Sequence, residues 1–172
     1  MNSKEQICHE AEALARRILT SYFCNSDVEC LISTLAPDVL WLGGGKEMRA
    51  RGREAVTAAF RNGGEMIAYD LTEEHYDTLD MGGGTYLCQG IGWITSKPGQ
   101  QMYVRYHQRC TFVFRETPHG LETAYIHNSM SMREDFGEGE LFPIQEARDG
   151  YERLKGILSQ REQQIELMLS QL

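Results

Sequence analysis

Four long stretches of alternating residues, separated by three turn signals, occupy the chain from Ile67 to Met132. The turn signals are residues 80–84 (Asp-Met-Gly-Gly-Gly), 97–100 (Lys-Pro-Gly-Gln) and 117–120 (Thr-Pro-His-Gly). Because glycine and proline favour turns and alternation favours strands, we predict four consecutive antiparallel strands. Polar and aromatic side chains share a face with apolar ones, so we expect a curved sheet that wraps around something.

Helices are predicted before this segment. Apolar residues recur at spacings of three and four over 5–23, and a shorter helix is expected over 27–35. A short strand at 39–42 contains Trp41, and a third helix begins at residue 52. This order of helices, a short strand and then a run of long strands indicates an α+β fold.

From Pro143 onward the sequence changes character and predicts a long, charged helix. We therefore predict a domain over 1–135 and a C-terminal helix over 143–172. The helix either packs on its own domain or acts as a dimerising or signalling stalk, and it is also compatible with a longer protein that continues into an output domain. Its apolar residues recur as in a coiled coil: Ile144, Ala147, Tyr151, Leu154, Leu158, Ile165, Met168 and Leu172.

Composition excludes several classes of partner. The chain has 172 residues, 41% of them hydrophobic, which is enough for one well-buried core. A net charge of -8, with 17 basic residues scattered among 25 acidic ones, argues against a nucleic-acid surface. No stretch approaches the roughly 18 apolar residues of a membrane span, and the N-terminal region has no leader pattern. We expect a cytoplasmic protein with no nucleic-acid and no membrane partner.

The five cysteines and five histidines show none of the spacings typical of metal sites. Since no two cysteines are separated by two residues, we expect reduced, mostly buried thiols. Residues 43–46 (Gly-Gly-Gly-Lys) lack the spacing of a phosphate-binding loop and are interpreted as a turn. The sequence therefore predicts no metal and no cofactor.

The turns allow the strand faces to be aligned. A two-residue turn at 98–99 would place Trp93 opposite Val104, and a four-residue loop at 117–120 would place Cys110 opposite His127. A one-residue slip in either turn would exchange the two faces. With this alignment, we expect the inner face to carry Leu87, Gln89, Ile91, Trp93, Tyr106, Gln108, Cys110, Phe112, Phe114, Tyr125, His127 and Ser129.

A polar layer of Gln89, Gln108, Ser129 and His127 crosses this inner face. A buried polar group without a partner costs about 1–3 kcal/mol, so the layer requires a hydrogen-bond network, trapped water or a ligand. We expect the opposite face to meet a second subunit, with two glycines allowing close approach. That face carries Gly90, Gly92, Tyr103, Arg105, His107, Arg109, Ile126 and Asn128.

The order of elements and two short motifs resemble the nuclear transport factor 2-like superfamily, specifically its SnoaL-like branch. The motifs are Gly-Arg-Glu-Ala-Val at 52–56, which opens the third helix, and Tyr-Ile-His-Asn-Ser-Met-Ser at 125–131. The resemblance covers about residues 8–133. It implies a cone-shaped, strongly bent antiparallel sheet, closed by N-terminal helices around a cavity, in domains that usually pair through their sheets.

The superfamily contains isomerases, dehydratases and cyclases as well as members that only bind ligands, so the fold leaves the function open. By resemblance, a catalytic Asp, or a His and Asp pair, would come from Asp70, His75, Asp77 or His127. His127 is either a general base or a hydrogen-bonded core residue. His75 and Asp77 form either a dyad or part of a solvated acidic edge. In both cases we favour the structural alternative.

Two hypotheses of function follow. The first is a non-catalytic small-molecule-binding or sensory module that forms a homodimer and passes a signal through its C-terminal helix; it ranks ahead because no catalytic constellation is evident. The second is a small isomerase or dehydratase acting on a compact apolar substrate, suggested by the polar layer in an otherwise apolar cavity. In either case, we expect the ligand to contact Trp41, Trp93, Tyr106, Gln108, Tyr125 and His127.

Overall fold

The computed structural model describes residues 4–62, 68–99, 103–131 and 144–169. Residues 67 and 132, the predicted ends of the sheet segment, lie outside the described residues. The chain forms two compact units.

In the first unit, residues 1–134, the described residues form three helices and six strands. In chain order they are α1 (Lys4–Asn25), α2 (Glu29–Ile32), β1 (Leu35–Leu42), β2 (Arg49–Arg51), α3 (Arg53–Arg61), β3 (Tyr69–Gly82), β4 (Thr85–Ser96), β5 (Arg105–Thr117) and β6 (Gly120–Ser131).

One strongly curled, open sheet contains all six strands in the order β2-β1-β6-β5-β4-β3. The four long strands pair antiparallel, as predicted, while β1 lies parallel to β6. The α+β cone is thus confirmed. Helix α2 is shorter than predicted because Leu35 already belongs to β1, where it pairs with Thr123.

The core lies between the inner face of the sheet and the helices. Helix α1 contributes seven buried residues at helical spacing, as its amphipathic pattern predicts. Phe112 and Phe114 of β5 stack at 5.4 Å and are almost fully buried. The buried apolar residues of the core all fall between Ile7 and Ile126.

The hairpin between β4 and β5 is longer than predicted, which corrects the faces of β4. The Ser96 amide donates to the Val104 carbonyl at 2.9 Å, so the pairing of β4 with β5 continues to these two residues. Trp93 therefore pairs with His107 instead of Val104. Because three is an odd number of residues, this shift exchanges the two faces of β4. The outward residues are Leu87, Gln89, Ile91 and Trp93, and the inward ones include Tyr86, Cys88 and Ile94.

A β-bulge in β6 corrects the faces of that strand. Phe114 pairs with Thr123 as predicted, but Val113 pairs with Tyr125, so the bulge leaves Ala124 without a partner. Every later pair is shifted by one, and Cys110 faces Asn128 instead of His127. The predicted inward placement of Tyr125, His127 and Ser129 is therefore wrong: these residues face outward, and Ile126 and Asn128 face inward.

The faces of β5 were predicted correctly, with Gln108 inward and Arg109 outward. The predicted outward placement of two glycines of β4 was wrong. A Cβ atom at Gly90 would lie 2.8 Å from the Tyr76 ring, and one at Gly92 would lie 2.8 Å from the Leu71 side chain. Both glycines thus face inward and make room for β3, so their predicted role in the approach of a second subunit is wrong.

The second unit, residues 135–172, contains α4 (Ile144–Leu169). The predicted helix is present over that range, and its large apolar side chains between 151 and 169 are exposed. No helix among the described residues is long and apolar enough to cross a membrane.

We predict that removing residues 145–172 leaves a cooperatively folded domain, because the buried core lies between residues 7 and 126. The measurement is a thermal melt followed by circular dichroism on the truncated and full-length chains. We expect a sigmoidal transition in both, with midpoints within a few degrees. A truncated chain without a cooperative transition would show that the helix is part of the fold.

Candidate functional site

A cavity of about 140 Å³ lies between the inner face of the sheet and the helices. Its walls come from α1, α2, α3, β1, β5, β6 and the loop after β1. Most of the wall is apolar, with four side chains that carry nitrogen or oxygen. The lining residues are Ile18, Leu19, Tyr22, Phe23, Leu31, Trp41, Met48, Ala59, Phe60, Gln108, Cys110, Phe112, Ile126 and Asn128.

Aromatic side chains form one side of the cavity. The Tyr22 ring packs edge-on against Phe23 at 4.9 Å and against Phe60 at 5.6 Å. Phe60 also contacts Trp41, with ring centroids 5.0 Å apart. Edge-to-face pairs at these distances are favourable beyond the area they bury, so they stabilise this wall.

The loop between β1 and β2 brings Met48 over the cavity. The Gly43 amide donates to the Met48 carbonyl at 2.6 Å, which closes the loop. A Cβ atom at Gly43 would lie 2.8 Å from the Met48 Cβ and 3.0 Å from the Trp41 ring. The absence of a side chain at Gly43 therefore allows Met48 and Trp41 to pack together. Residues 43–46 form a turn, as predicted.

Two side-chain amides supply most of the polarity of the cavity. The Trp41 indole Nε1 donates to Oδ1 of Asn128 at 2.7 Å, which links β1 to β6. Nε2 of Gln108, a residue only 2% exposed, donates to the Arg109 carbonyl at 3.2 Å. The cavity is thus an apolar space with two amides in its sheet wall.

The titratable groups in this wall are neutral at pH 7. Burial raises the pKa of the Tyr22 phenol, and the nearby Tyr69 raises it further. Burial likewise raises the pKa of the Cys110 thiol. Among the described lining residues there is no carboxylate, imidazole, ammonium or guanidinium group. A charged group placed in this cavity would find no opposite charge among the described lining residues.

The structure brings together only part of the predicted site. Trp41 and Gln108 line the cavity. Tyr106 is buried on the inner face near Tyr69, with ring centroids 6.4 Å apart, but it is not a lining residue. Trp93 and Tyr125 lie on the outer face, because the β4–β5 hairpin and the bulge in β6 shift the registers of these strands.

The predicted catalytic candidates lie outside the cavity. Nε2 of His75 and Oδ2 of Asp77 are 3.0 Å apart, but both side chains are about two-thirds exposed on the edge strand β3. His127 is half-buried on the outer face, in a shallow concavity that Arg109 and Gln89 also line. Asp70 is exposed near the start of β3. The geometry thus does not join these residues into one site.

On the outer face, Trp93 contacts two neighbours from β5. The Arg105 guanidinium lies 4.3 Å from the centre of the Trp93 ring, and His107 packs against that ring at 5.0 Å. Arg105, His107 and Arg109 thus share the outer face of β5, and the Trp93 ring stabilises the Arg105 cation by a cation–π contact.

Sequence reasoning missed Asn128, Tyr22, Phe60 and Met48. Asn128 was assigned outward because nothing in the sequence marks the bulge at Ala124. Tyr22 and Phe60 do carry a signal, since both fall on the apolar faces of predicted helices. Among the described residues there is no group of three His, Cys, Asp or Glu side chains that could hold a metal ion.

The family model named SnoaL-like domain matches residues 12–133. No curated protein matches the sequence. Several solved structures share the fold at low identity. A candidate dehydratase of the NTF2-like family from Streptomyces avermitilis is 22% identical, with a TM-score of 0.58 over 75% of this chain and 99% of that one.

Two further solved structures are similar. A ketosteroid isomerase-like protein from Erwinia carotovora atroseptica is 20% identical, with a TM-score of 0.54, over 76% of this chain and 98% of that one. Hexachlorocyclohexane dehydrochlorinase LinA-type3 from Novosphingobium barchaimii is 11% identical, with a TM-score of 0.57, over 72% of this chain and 86% of that one. At these identities the likeness concerns the fold alone.

We predict that Gly43→Ala destabilises the domain by about 1–3 kcal/mol, because the new methyl group would overlap Met48 and Trp41. Gly44→Ala is the matched control, since its Cβ would meet nothing closer than 3.9 Å. Urea unfolding of both variants and the parent chain gives the two differences in unfolding free energy. Equal effects at the two positions would contradict the close packing described here.

Proposed function

We propose that this chain, which belongs to the SnoaL-like domain family, is a binding module for a small, uncharged and mostly apolar molecule. The observation that carries the proposal is the cavity of about 140 Å³, lined by apolar and aromatic groups with two amides in its sheet wall. Apolar cavities of about 150 Å³ accept a molecule the size of benzene. The ligand is therefore expected to contain about one six-membered ring.

The absence of ionised groups supports binding over acid–base catalysis. General acid–base catalysis needs a group whose pKa lies near the working pH. In the described lining, Tyr22 and Cys110 titrate, and burial raises both pKa values away from neutrality. The exposed pair His75 and Asp77 lies on the edge strand, outside the cavity lining.

An isomerase or dehydratase remains the second candidate, and the Gln108 and Asn128 amides are the observation that favours it. Two of the similar solved structures are named as a candidate dehydratase and a ketosteroid isomerase-like protein. Polar groups in an apolar cavity are what a catalyst uses to stabilise charge that develops during a reaction. An enzyme of this kind would take its base from outside the described lining.

We predict that a ring-sized ligand perturbs one of the two tryptophans. Trp41 lines the cavity and Trp93 lies on the outer face, so binding should change the emission of Trp41 alone. Titration with cyclohexanone, monitored by fluorescence, should give a saturable change in the parent chain and in Trp93→Phe, and none in Trp41→Phe. A signal that survives in Trp41→Phe and disappears in Trp93→Phe would place the ligand on the outer face and contradict the proposal.

We further propose that the module forms a homodimer through the outer face of the sheet. Leu40, Leu42 and Ile91 lie on this face and are 43%, 42% and 37% exposed. A second copy would cover them together with Trp93. The apolar stripe of α4, which includes Leu154, is also exposed. It would let the helices of two copies pair and carry a ligand-dependent signal.

We predict a dimer at micromolar concentration in sedimentation velocity. Ile91→Glu should shift the chain toward the monomer, because a charge would be buried in the interface. Met81→Glu is the control, since Met81 is 57% exposed at the tip of the hairpin between β3 and β4. A parent chain that sediments as a monomer, or equal behaviour of the two variants, would contradict this interface.

A further inference from the structure

Two amides line the cavity, and each is oriented by a partner that has only one hydrogen-bonding role. The Trp41 indole N–H can only donate, so it meets the oxygen of Asn128, at 2.7 Å. The Arg109 carbonyl can only accept, so it meets the nitrogen of Gln108, at 3.2 Å. Rotating either amide by 180° would place donor against donor or acceptor against acceptor.

These two bonds leave one amide nitrogen and one amide oxygen without a partner among the described residues. Nδ2 of Asn128 and Oε1 of Gln108 have no hydrogen-bond partner in the part of the chain that the structure describes. The Tyr22 hydroxyl, which also lines the cavity, can turn to donate or to accept, so it does not discriminate between ligands. The two amides therefore determine which ligands the cavity prefers.

The two residues that carry these atoms are neighbours on the sheet. Asn128 pairs with Cys110 and Gln108 pairs with Met130, so Gln108 and Asn128 are diagonal neighbours on the inner face. Diagonal neighbours are about 7–8 Å apart between Cα atoms, a separation that long polar side chains can span. A ligand that lies over this diagonal meets a donor at one end and an acceptor at the other.

We propose that the cavity selects a neutral ring in which a carbonyl acceptor sits next to an N–H donor, as in a six-membered lactam. This inference rests on the binding function proposed above. The ligand carbonyl accepts from Nδ2 of Asn128, and the ligand N–H donates to Oε1 of Gln108. The remaining ring atoms lie against the aromatic wall formed by Tyr22, Phe60 and Trp41. Neutrality follows because the described lining offers no charge to compensate an ion.

Three ring-matched probes test this inference: 2-piperidone, cyclohexanone and cyclohexane. Chemical-shift titration of the full chain gives a dissociation constant for each. We expect 2-piperidone to bind about five- to tenfold more tightly than cyclohexanone, the ratio typical of one additional neutral hydrogen bond. Equal affinity for 2-piperidone and cyclohexanone would overturn the inference and leave the binding function standing. No binding of any probe would overturn both.

Two variants assign the selectivity to the amides. Gln108→Leu removes the acceptor, so the preference for 2-piperidone over cyclohexanone should disappear while cyclohexanone still binds. Trp41→Phe removes the group that orients Asn128, and the preference should fall because the freed amide can turn. Trp93→Phe, on the outer face, should keep the full preference.

Thermal melts establish that each variant is folded before its affinities are compared. If a variant fails to fold, the ratio of the two dissociation constants measured on the parent chain still tests the inference. Selectivity unchanged in folded Gln108→Leu and Trp41→Phe would overturn the assignment.

Discussion

The hydrogen bond from Trp41 to Asn128 connects the parts of the structure on which the cavity depends. It joins β1 to β6, the parallel pair in the sheet, and it holds the indole ring where it meets Phe60 of α3. The same bond orients the Asn128 amide, with its oxygen toward the indole N–H. Because the Trp41 ring must pass close to the following loop, position 43 has to be glycine-sized. The aromatic wall, the loop after β1 and the Asn128 amide are thus connected through the Trp41–Asn128 hydrogen bond.

The neutral character of the cavity follows from where the chain places its charges. Arg105, Arg109 and His107 alternate with inward residues on β5, so the strand period of two directs all three to the outer face. The inward positions of the same strand hold Gln108 and Cys110, and burial keeps the thiol protonated. One strand thus supplies both a basic surface and an uncharged cavity wall, and the alternation that separates them is a property of the backbone.

The sequence predicts the fold well and the site only in part, and two local events explain the difference. Periodicity and turn residues place the helices and the four long strands, and both faces of β5 are right. The β4–β5 hairpin closes at Ser96 and Val104. Its pairing register is therefore shifted by three residues from the register of a two-residue turn at Pro98 and Gly99. The bulge at Ala124 adds one residue to β6. Each event is a local hydrogen-bonding choice that leaves hydrophobic periodicity almost unchanged. The first exchanges the faces of β4 relative to β5, and the second exchanges the faces of β6 beyond the bulge.

Helix α1, which roofs the cavity with Ile18 and Tyr22, makes a contact with β3 that the predicted faces of β4 concealed. Gly90 lacks a side chain where the Tyr76 ring lies, and the Tyr76 hydroxyl donates to Glu74 at 2.7 Å. Arg16 of α1 lies 4.9 Å from the centre of that ring and 3.6 Å from the Glu74 carboxylate. Gly90 therefore makes room for the Tyr76 ring and not for a second subunit, and that ring and the Glu74 carboxylate contact Arg16 of the helix that roofs the cavity.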